Sequence, residues 1–393
     1  DGSPDSDLYI RLDAPARLYD RAELRFIGEE LIAHLRAVLA AGDKPVGTLD
    51  VLAGEDRDRV LAAAHGTRTP QAGPTVPELF TRRAEADPGA VALVDADGQV
   101  SYGELAARSD RIARALRGRG VAPETVVAVA LPRSAELAAA LLGVAKAGGA
   151  YLPVDPAAPA DRIAALIADT AARVLLTDAA TAGRLAADPG APVTTVEALL
   201  SEDAADTPAT PAAPRPDNLL AVLPDSAASG TDGAVALTHR NLARLTQDAP
   251  WCAADGTTVL WHTPHTSDAL ALDLWAPLLA GGRVVVAPGG DLDADALTAA
   301  RAAHGITTVW LPASRFATIA AERPAALAGL REVVTGGDRV PAAVLRRVRE
   351  ACPELTVVHG HGPAESTLFA ACHRLAAGEP LPDASTIGHP LDN

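Results

Sequence analysis

The sequence predicts an α/β protein with largely parallel sheets. Three observations predict it. Short, near-continuous apolar runs recur, among them Thr125–Leu131, Val174–Thr177 and Leu219–Leu223, and such runs read as strands buried on both faces. Stretches with helical periodicity alternate with them, as crossover connections between parallel strands require. At 393 residues, with 48% hydrophobic and 21% charged content, the chain is long enough for two or three soluble domains with full cores.

The elements follow in order. Asp7-Leu-Tyr-Ile-Arg-Leu-Asp13 alternates apolar and polar residues and predicts a strand. Leu24, Ile27, Leu31, Leu35 and Val38 recur at spacings of three and four and predict a helix over Arg21–Ala41, broken by Gly42–Gly47. Residues 1–43 are too poor in core to stand alone, and 44–66 read as a linker. From Val76 elements alternate: a helix over Val76–Ala86, a strand at Val91–Val94, a turn at Asp95–Gly98, Val100–Tyr102, and a helix over Tyr102–Arg119. Ser134 caps the helix after Thr125–Leu131. Further strands are predicted at Thr257–Trp261, Arg283–Ala287, Thr307–Leu311, Glu332–Thr335 and Thr356–His359. The Ala-, Asp-, Pro- and Thr-rich stretch from Asp178 to Pro216 predicts a flexible connection between two α/β subdomains, 67–216 and 217–393.

Composition excludes several classes. A net charge of −16 argues against nucleic-acid binding and against an anionic membrane as partner. No 18-residue apolar run is free of charges, so no membrane span is expected. Three cysteines, Cys252, Cys352 and Cys372, form no paired motif, which suits a reducing, cytoplasmic setting. The chain opens DGSPDSD and contains no Met, and is read as an internal piece of something longer. No G-x-G-x-x-G opens a βαβ unit, so a dinucleotide-binding protein is not expected.

The most informative stretch is Asp225–His239, DSAASGTDGAVALTH. It follows the strand Leu219–Leu223 and precedes a helix start at His239. Small-residue loops in that place hold phosphate with backbone N–H groups. This one carries no Lys or Arg.

Other landmarks carry a resemblance. Lys146-Ala-Gly-Gly-Ala-Tyr-Leu-Pro-Val-Asp155-Pro, Val100-Ser-Tyr-Gly-Glu-Leu105, Val333-Val-Thr-Gly-Gly-Asp338, Gly360-His-Gly-Pro-Ala-Glu-Ser-Thr367 and Ile387-Gly-His-Pro-Leu-Asp-Asn393 resemble, in order and spacing, core motifs of adenylation domains of nonribosomal peptide synthetases. The match runs from about residue 50 to the end, while residues 1–43 resemble the final strand and helix of a condensation domain. The resemblance implies a large adenylation core of two stacked α/β subdomains, here without the small C-terminal subdomain. It implies ATP and Mg2+ as cofactors, an aminoacyl-adenylate as product, and a carrier-protein thiol as acceptor. A condensation domain upstream and a carrier domain downstream are the implied partners; a small partner protein belongs to the protein-binding alternative.

Residue by residue, the resemblance implies a degenerate nucleotide site. The family's phosphate loop resembles Tyr-Thr-Ser-Gly-Thr-Thr-Gly-x-Pro-Lys-Gly. Counted back from His239, Ser226 and Gly230 are kept and Thr231 fills the variable position. Ala227 replaces a Gly, Ala228 and Ser229 fill the Thr positions, Asp232 the Pro, Gly233 the Lys and Ala234 the last Gly. A Cβ where φ > 0 is needed costs about 1 kcal/mol. Loss of one preorganised charge-stabilising group costs roughly 10²–10³ in rate. Asp225 and Asp232 add repulsion, and Arg240 is the alternative source of positive charge. Glu365 keeps the position implied for Mg2+, and Thr367 is also kept. His359, Gly360 and His361 fall on the adenine segment, where His361 replaces the stacking aromatic. The same His-x-His pair would suit a metal, but no Cys or carboxylate partner is placed by sequence. Asp268, within His262–Trp275, falls on the carboxylate implied to pair with a substrate α-ammonium. Ala269, Leu272, Trp310, Val334, Gly336, Gly360, Leu368 and Phe369 fall on the pocket lining, with Trp310 and Phe369 bulky enough to close it.

The reading is an amino-acid-activating domain, inactive or severely impaired and kept as a structural part of its module, with the amino acid supplied elsewhere. A divergent but active domain loading its own carrier is one alternative, and a protein-binding platform is another.

Overall fold

The computed structural model describes residues 10–49, 52, 54–66, 73–185, 189–202, 213–224, 233–248, 256–381 and 386–392. Contacts divide the chain into two units, Asp1–Gly66 and Thr67–Asn393.

The first unit is held by local interactions. Helix α1 (Arg21–Ala41) opens with a capping box: Asp20 accepts from the amides of Ala22 and Glu23, and Glu23 Oε2 accepts from the Asp20 amide at 2.7 Å. Helix α2 (Gly54–Ala64) follows a short 3-10 turn, and Arg59 lies over the Phe26 ring. No residue of α1 is buried, and Leu39 is 84% exposed. The expected alternating strand is corrected: residues 10–13 are not in a strand, and residues 7–9 lie outside the described residues. Alternation alone does not make a strand without a partner edge to complete its hydrogen bonds.

The second unit carries two sheets. In chain order its elements are α3 (Val76–Ala86), β1 (Val91–Asp95), β2 (Gly98–Ser101), α4 (Tyr102–Gly118), β3 (Val126–Ala130), α5 (Ala135–Ala147), β4 (Ala150–Pro153), α6 (Ala160–Thr170), β5 (Val174–Thr177), α7 (Ala179–Arg184), β6 (Val193–Thr195), α8 (Val196–Ser201), β7 (Leu219–Pro224) and β8 (Ala234–Thr238). There follow α9 (His239–Asp248), β9 (Thr258–Trp261), α10 (Ala276–Ala280), β10 (Arg283–Val286), α11 (Ala294–His304), β11 (Thr308–Pro312), α12 (Ala313–Glu322), β12 (Glu332–Gly336), α13 (Ala342–Ala351), β13 (Thr356–His361), β14 (Ala371–Leu375) and β15 (His389–Pro390). Among the described residues a six-stranded sheet runs β6-β5-β3-β4-β7-β8 and a nine-stranded sheet β15-β14-β13-β12-β11-β9-β10-β1-β2. Pairing is parallel except at β1–β2, β7–β8, β13–β14 and β14–β15. The predicted class holds.

Two expectations are corrected. The sheets do not divide at residue 216. β1 and β2, early in the chain, pair onto β10 in the nine-stranded sheet, and β7 and β8 pair onto β4 in the six-stranded one. The stretch from Asp178 is not a featureless connection either. It holds α7, β6 and α8, because Val193–Thr195 adds to β5 and Val196 and Leu199 are buried in the core. Residues 186–188 and 203–212 of that stretch lie outside the described residues.

Close packing joins the two sheets' helices. Tyr102, at the head of α4, is buried, and its hydroxyl reaches the carbonyls of Leu278 at 3.0 Å and Gly282 at 2.8 Å. Burial pushes that phenol well above its ordinary range. In the Lys146–Asp155 motif, Gly148 closes α5 in the left-handed region at φ 93°. A Cβ on Gly149 would lie 2.7 Å from Val121 Cγ1 and 3.0 Å from the Thr125 carbonyl. Tyr151 stacks on Trp275 and accepts its indole N–H at 2.9 Å.

This packing is testable at two positions. Gly149→Ala will destabilise the protein by about 1–3 kcal/mol, as overpacking does, read as a lower midpoint in urea. His239, at the start of α9, is fully buried, with no hydrogen-bond partner for either ring nitrogen among the described residues. Burial pushes its pKa down to about 4, only partly opposed by Glu78. The unfolded chain protonates this ring near 6.5 and the folded one does not, so stability falls as pH drops from 6.5 toward 4. His239→Leu will flatten that slope by about 3 kcal/mol across the window, measured as denaturation midpoints at pH 7 and pH 4.

Candidate functional site

The phosphate-loop residues Asp225, Ser226, Ala227, Ala228, Ser229, Gly230, Thr231 and Asp232 lie outside the described residues. Their flanks are described. β7 and β8 form an antiparallel pair from Leu219↔Thr238 to Pro224↔Ala234, and Gly233 is exposed at its open end. The helix expected from His239 is α9, which begins there; the edge strand β8 between the loop and that helix was not foreseen from the sequence. β8 lies against the 3-10 turn Ala364–Ser366, so the chain flanking the loop and the segment bearing Glu365 come together. Arg240 is committed elsewhere: its guanidinium pairs with Asp217 at 2.7 Å and its amide donates to the Pro216 carbonyl.

Glu365 and His361 are exposed. His359 is buried, with its ring nitrogens 3.1 Å and 3.3 Å from the carbonyl oxygens of Thr386 and Asp338. The fold therefore uses His359 to tie β13 to neighbouring turns. Thr367 and Leu368 both adopt positive φ, 60° and 80°. For a β-branched residue this is a strained conformation costing on the order of 1–3 kcal/mol. These two residues lead directly into Phe369.

The pocket positions do come together. Ala269, Leu272, Trp310, Val334, Leu368 and Phe369 are all buried in one apolar cluster. β11, β12 and β13 are neighbours, and Trp310↔Val334 and Gly336↔Gly360 are register partners. The Phe369 ring lies flat on Gly360: a Cβ there would sit 2.3–2.4 Å from its ring carbons, and one on Gly336 would sit 2.3 Å from the Gly360 carbonyl and 3.1 Å from Phe369. Trp310 packs on Phe369 with ring centroids 5.6 Å apart. The two glycines leave space, and Phe369 occupies it.

Asp268 sits half-buried at the edge of this cluster, on the turn that follows β9, with Oδ1 accepting from Ser267 Oγ at 3.1 Å. Sequence reasoning missed what holds that turn. Asp273 is fully buried on a π-helical turn, Ala271–Trp275, a distortion frequent at functional sites. Its Oδ2 accepts from the amides of His262 at 3.3 Å and Thr263 at 3.1 Å and from Thr263 Oγ1 at 2.7 Å. Arg133, after β3, takes the carbonyls of the same two residues, His262 at 2.7 Å and Thr263 at 3.2 Å. Burial pushes the Asp273 carboxyl up and the Arg133 guanidinium down, the latter opposed by the nearby Asp273 charge. His262 Nε2 lies 2.6 Å from the Trp310 carbonyl and His265 Nε2 2.9 Å from that of Val154. The available signal was Asp273 itself, a lone acid inside the apolar run Ala269–Trp275.

Among the described residues no group of three or more His, Cys, Asp or Glu is arranged for a metal. Glu365 offers one exposed carboxylate, which suits a Mg2+ delivered with phosphates rather than one held by protein alone.

Comparison with known proteins places the chain. The AMP-binding enzyme family matches residues 80–393. Tyrocidine synthase 3 of Brevibacillus parabrevis is 30% identical over 395 residues, covering 99% of this chain and 6% of that protein. The probable non-canonical nonribosomal peptide synthetase CymA of Salinispora arenicola is 34% identical over 357 residues, covering 90% of this chain and 4% of that protein. The chain thus spans only a small fraction of these relatives. Among solved structures, the nonribosomal peptide synthetase FmoA3 in its AMPPNP-bound form superposes with a TM-score of 0.82 at 26% identity, over 95% of this chain and 40% of that one. Holo-PA1221, which contains adenylation and PCP domains, superposes with a TM-score of 0.73 at 29% identity, over 81% and 54%. The chain belongs to the AMP-binding enzyme family, as an adenylation domain of the nonribosomal peptide synthetase type.

Proposed function

We propose that this chain is an amino-acid-activating domain whose adenylating step is lost or severely impaired, and which serves its synthetase module as a structural part. The observation that carries the reading is the anion loop without a cation: Asp225–Gly233 contains no Lys or Arg, and Gly233 fills the Lys position. The nearest basic substitute in sequence, Arg240, is paired with Asp217. Phe369 adds to it by filling the space above Gly336 and Gly360. On this reading residues 1–43 are the end of a condensation domain, 44–66 the linker, and a carrier domain lies downstream. The amino acid is supplied by another module, and ATP and Mg2+ are family cofactors this copy holds weakly.

A second reading is a divergent, working domain. Its support is that Asp268 keeps a partly accessible carboxylate and Glu365 an exposed one.

ATP–pyrophosphate exchange, run on the synthetase module across all amino acids, separates the two. The expected result is no robust exchange from the natural sequence. Restoring Gly233→Lys together with Ala227→Gly should raise exchange, with the Lys contributing roughly 10²–10³. Robust exchange by the natural sequence with any amino acid would overturn the inactive reading. Phe369→Ala should cost about 3–5 kcal/mol of stability as a cavity opens, and should admit apolar amino acids that the natural protein does not bind, as calorimetry would register.

A further inference from the structure

We propose that a hollow between the start of α3, the outer face of α4 and the end of α5 is a separate anion site, for a phosphate-bearing small molecule. The hollow has a volume of about 570 Å3 and is lined in part by Pro77, Ala113 and Pro214 as its apolar wall. That volume lies within the range of small-molecule pockets, roughly 300–1,000 Å3. None of its lining residues belongs to the phosphate loop or the Asp268 turn, and none touches Phe369 in the contacts described above.

Four basic side chains face it: Arg82, Arg114, Arg117 and Lys146. Its two acids are already engaged. Glu78 Oε2 accepts from the Thr75 amide at 2.7 Å and from Thr75 Oγ1 at 3.0 Å, closing the cap of α3. Asp110 accepts from Lys146 Nζ at 2.7 Å, which cancels that ammonium. Lys146 is further held by the Ala106 carbonyl at 3.3 Å and the face of Phe80. Glu78 keeps its charge, since both its donors are neutral, so three guanidiniums stand against one carboxylate. Arg82 and Arg114 are exposed and have no ion pair among the described residues. Arg117 donates to the Lys146 carbonyl, while its buried Nε has no partner among the described residues.

The arrangement is set by sequence. Asp110, Arg114 and Arg117 stand four and three residues apart and so share one face of α4. Arg82 comes from the neighbouring α3. Gathering three guanidiniums around one concavity costs mutual repulsion, in a protein whose net charge is −16. A bound dianion would relieve it, and guanidiniums grip phosphate oxygens two at a time. The apolar wall would take the compact organic part of a phosphate ester.

The test is calorimetric titration of inorganic pyrophosphate into the natural protein at low salt, with Arg82→Ala/Arg114→Ala and Arg114→Lys beside it. Expected are saturable binding that weakens with added salt, a loss of about tenfold or more in the double variant, and a smaller loss with Arg114→Lys, which keeps the charge without the fork. Equal thermal midpoints will show that the variants fold. No saturable binding, or equal affinity in the double variant, would overturn the site. Tighter binding of a polyglutamate peptide than of pyrophosphate would overturn the small-ligand assignment.

Discussion

A buried carboxylate organises the acid side of this domain. Asp273 has no exposure to water, and a carboxylate so placed must find hydrogen-bond donors or stay neutral. It finds three on two residues, His262 and Thr263, at the exit of β9. Arg133 takes the carbonyls of those residues from the exit of β3, in the other sheet. The turn bearing Asp268 is thus gripped through its N–H groups from one sheet's helix and through its C=O groups from the other sheet's loop. Removing one member of a buried charged set costs about 3–5 kcal/mol, because the remainder is left desolvated. The placement of Asp268 beside the aromatic cluster depends on this grip, as does the His265 contact with Val154.

Glycine at close approaches is the second constraint. Gly149 lets the end of α5 turn into β4 against Val121 and Thr125, and Gly336 and Gly360 let β12 and β13 carry an aromatic ring on their shared face. The first opening is used for packing within the fold. The second is the more telling. It lies where a substrate side chain is implied by the resemblance, and here a side chain of the protein itself fills it. Thr367 and Leu368, immediately before it, both adopt positive φ.

Much of this was legible from sequence. Strands such as Val126–Ala130 and Val174–Thr177 are continuous apolar runs because they lie inside a parallel sheet, and α1 matched its predicted bounds because its cap and its periodicity agree. The site motifs were legible as spacing. Other features were not. β8 is a five-residue edge strand with a half-exposed pattern, defined by its pairing to β7 rather than by its own composition. The π-helical turn, and the role of Asp273 in it, arise from hydrogen bonds to residues ten and eleven positions away. The strand expected over residues 7–13 shows the converse: an alternating pattern whose described part has no partner edge to join.

Sequence alone determined the alternation of strands and helices, the family and the absence of a basic side chain from Asp225–Gly233. Each is a matter of residue identity and order, and no folding can add a charge that the loop does not carry. Tertiary structure alone decided that β1 and β2 cross into the later sheet, that Arg240 is committed to Asp217, that Phe369 closes over Gly360, and that three arginines meet in one hollow. Those outcomes depend on which distant surfaces meet, and burial and partner geometry set that only when the whole core packs.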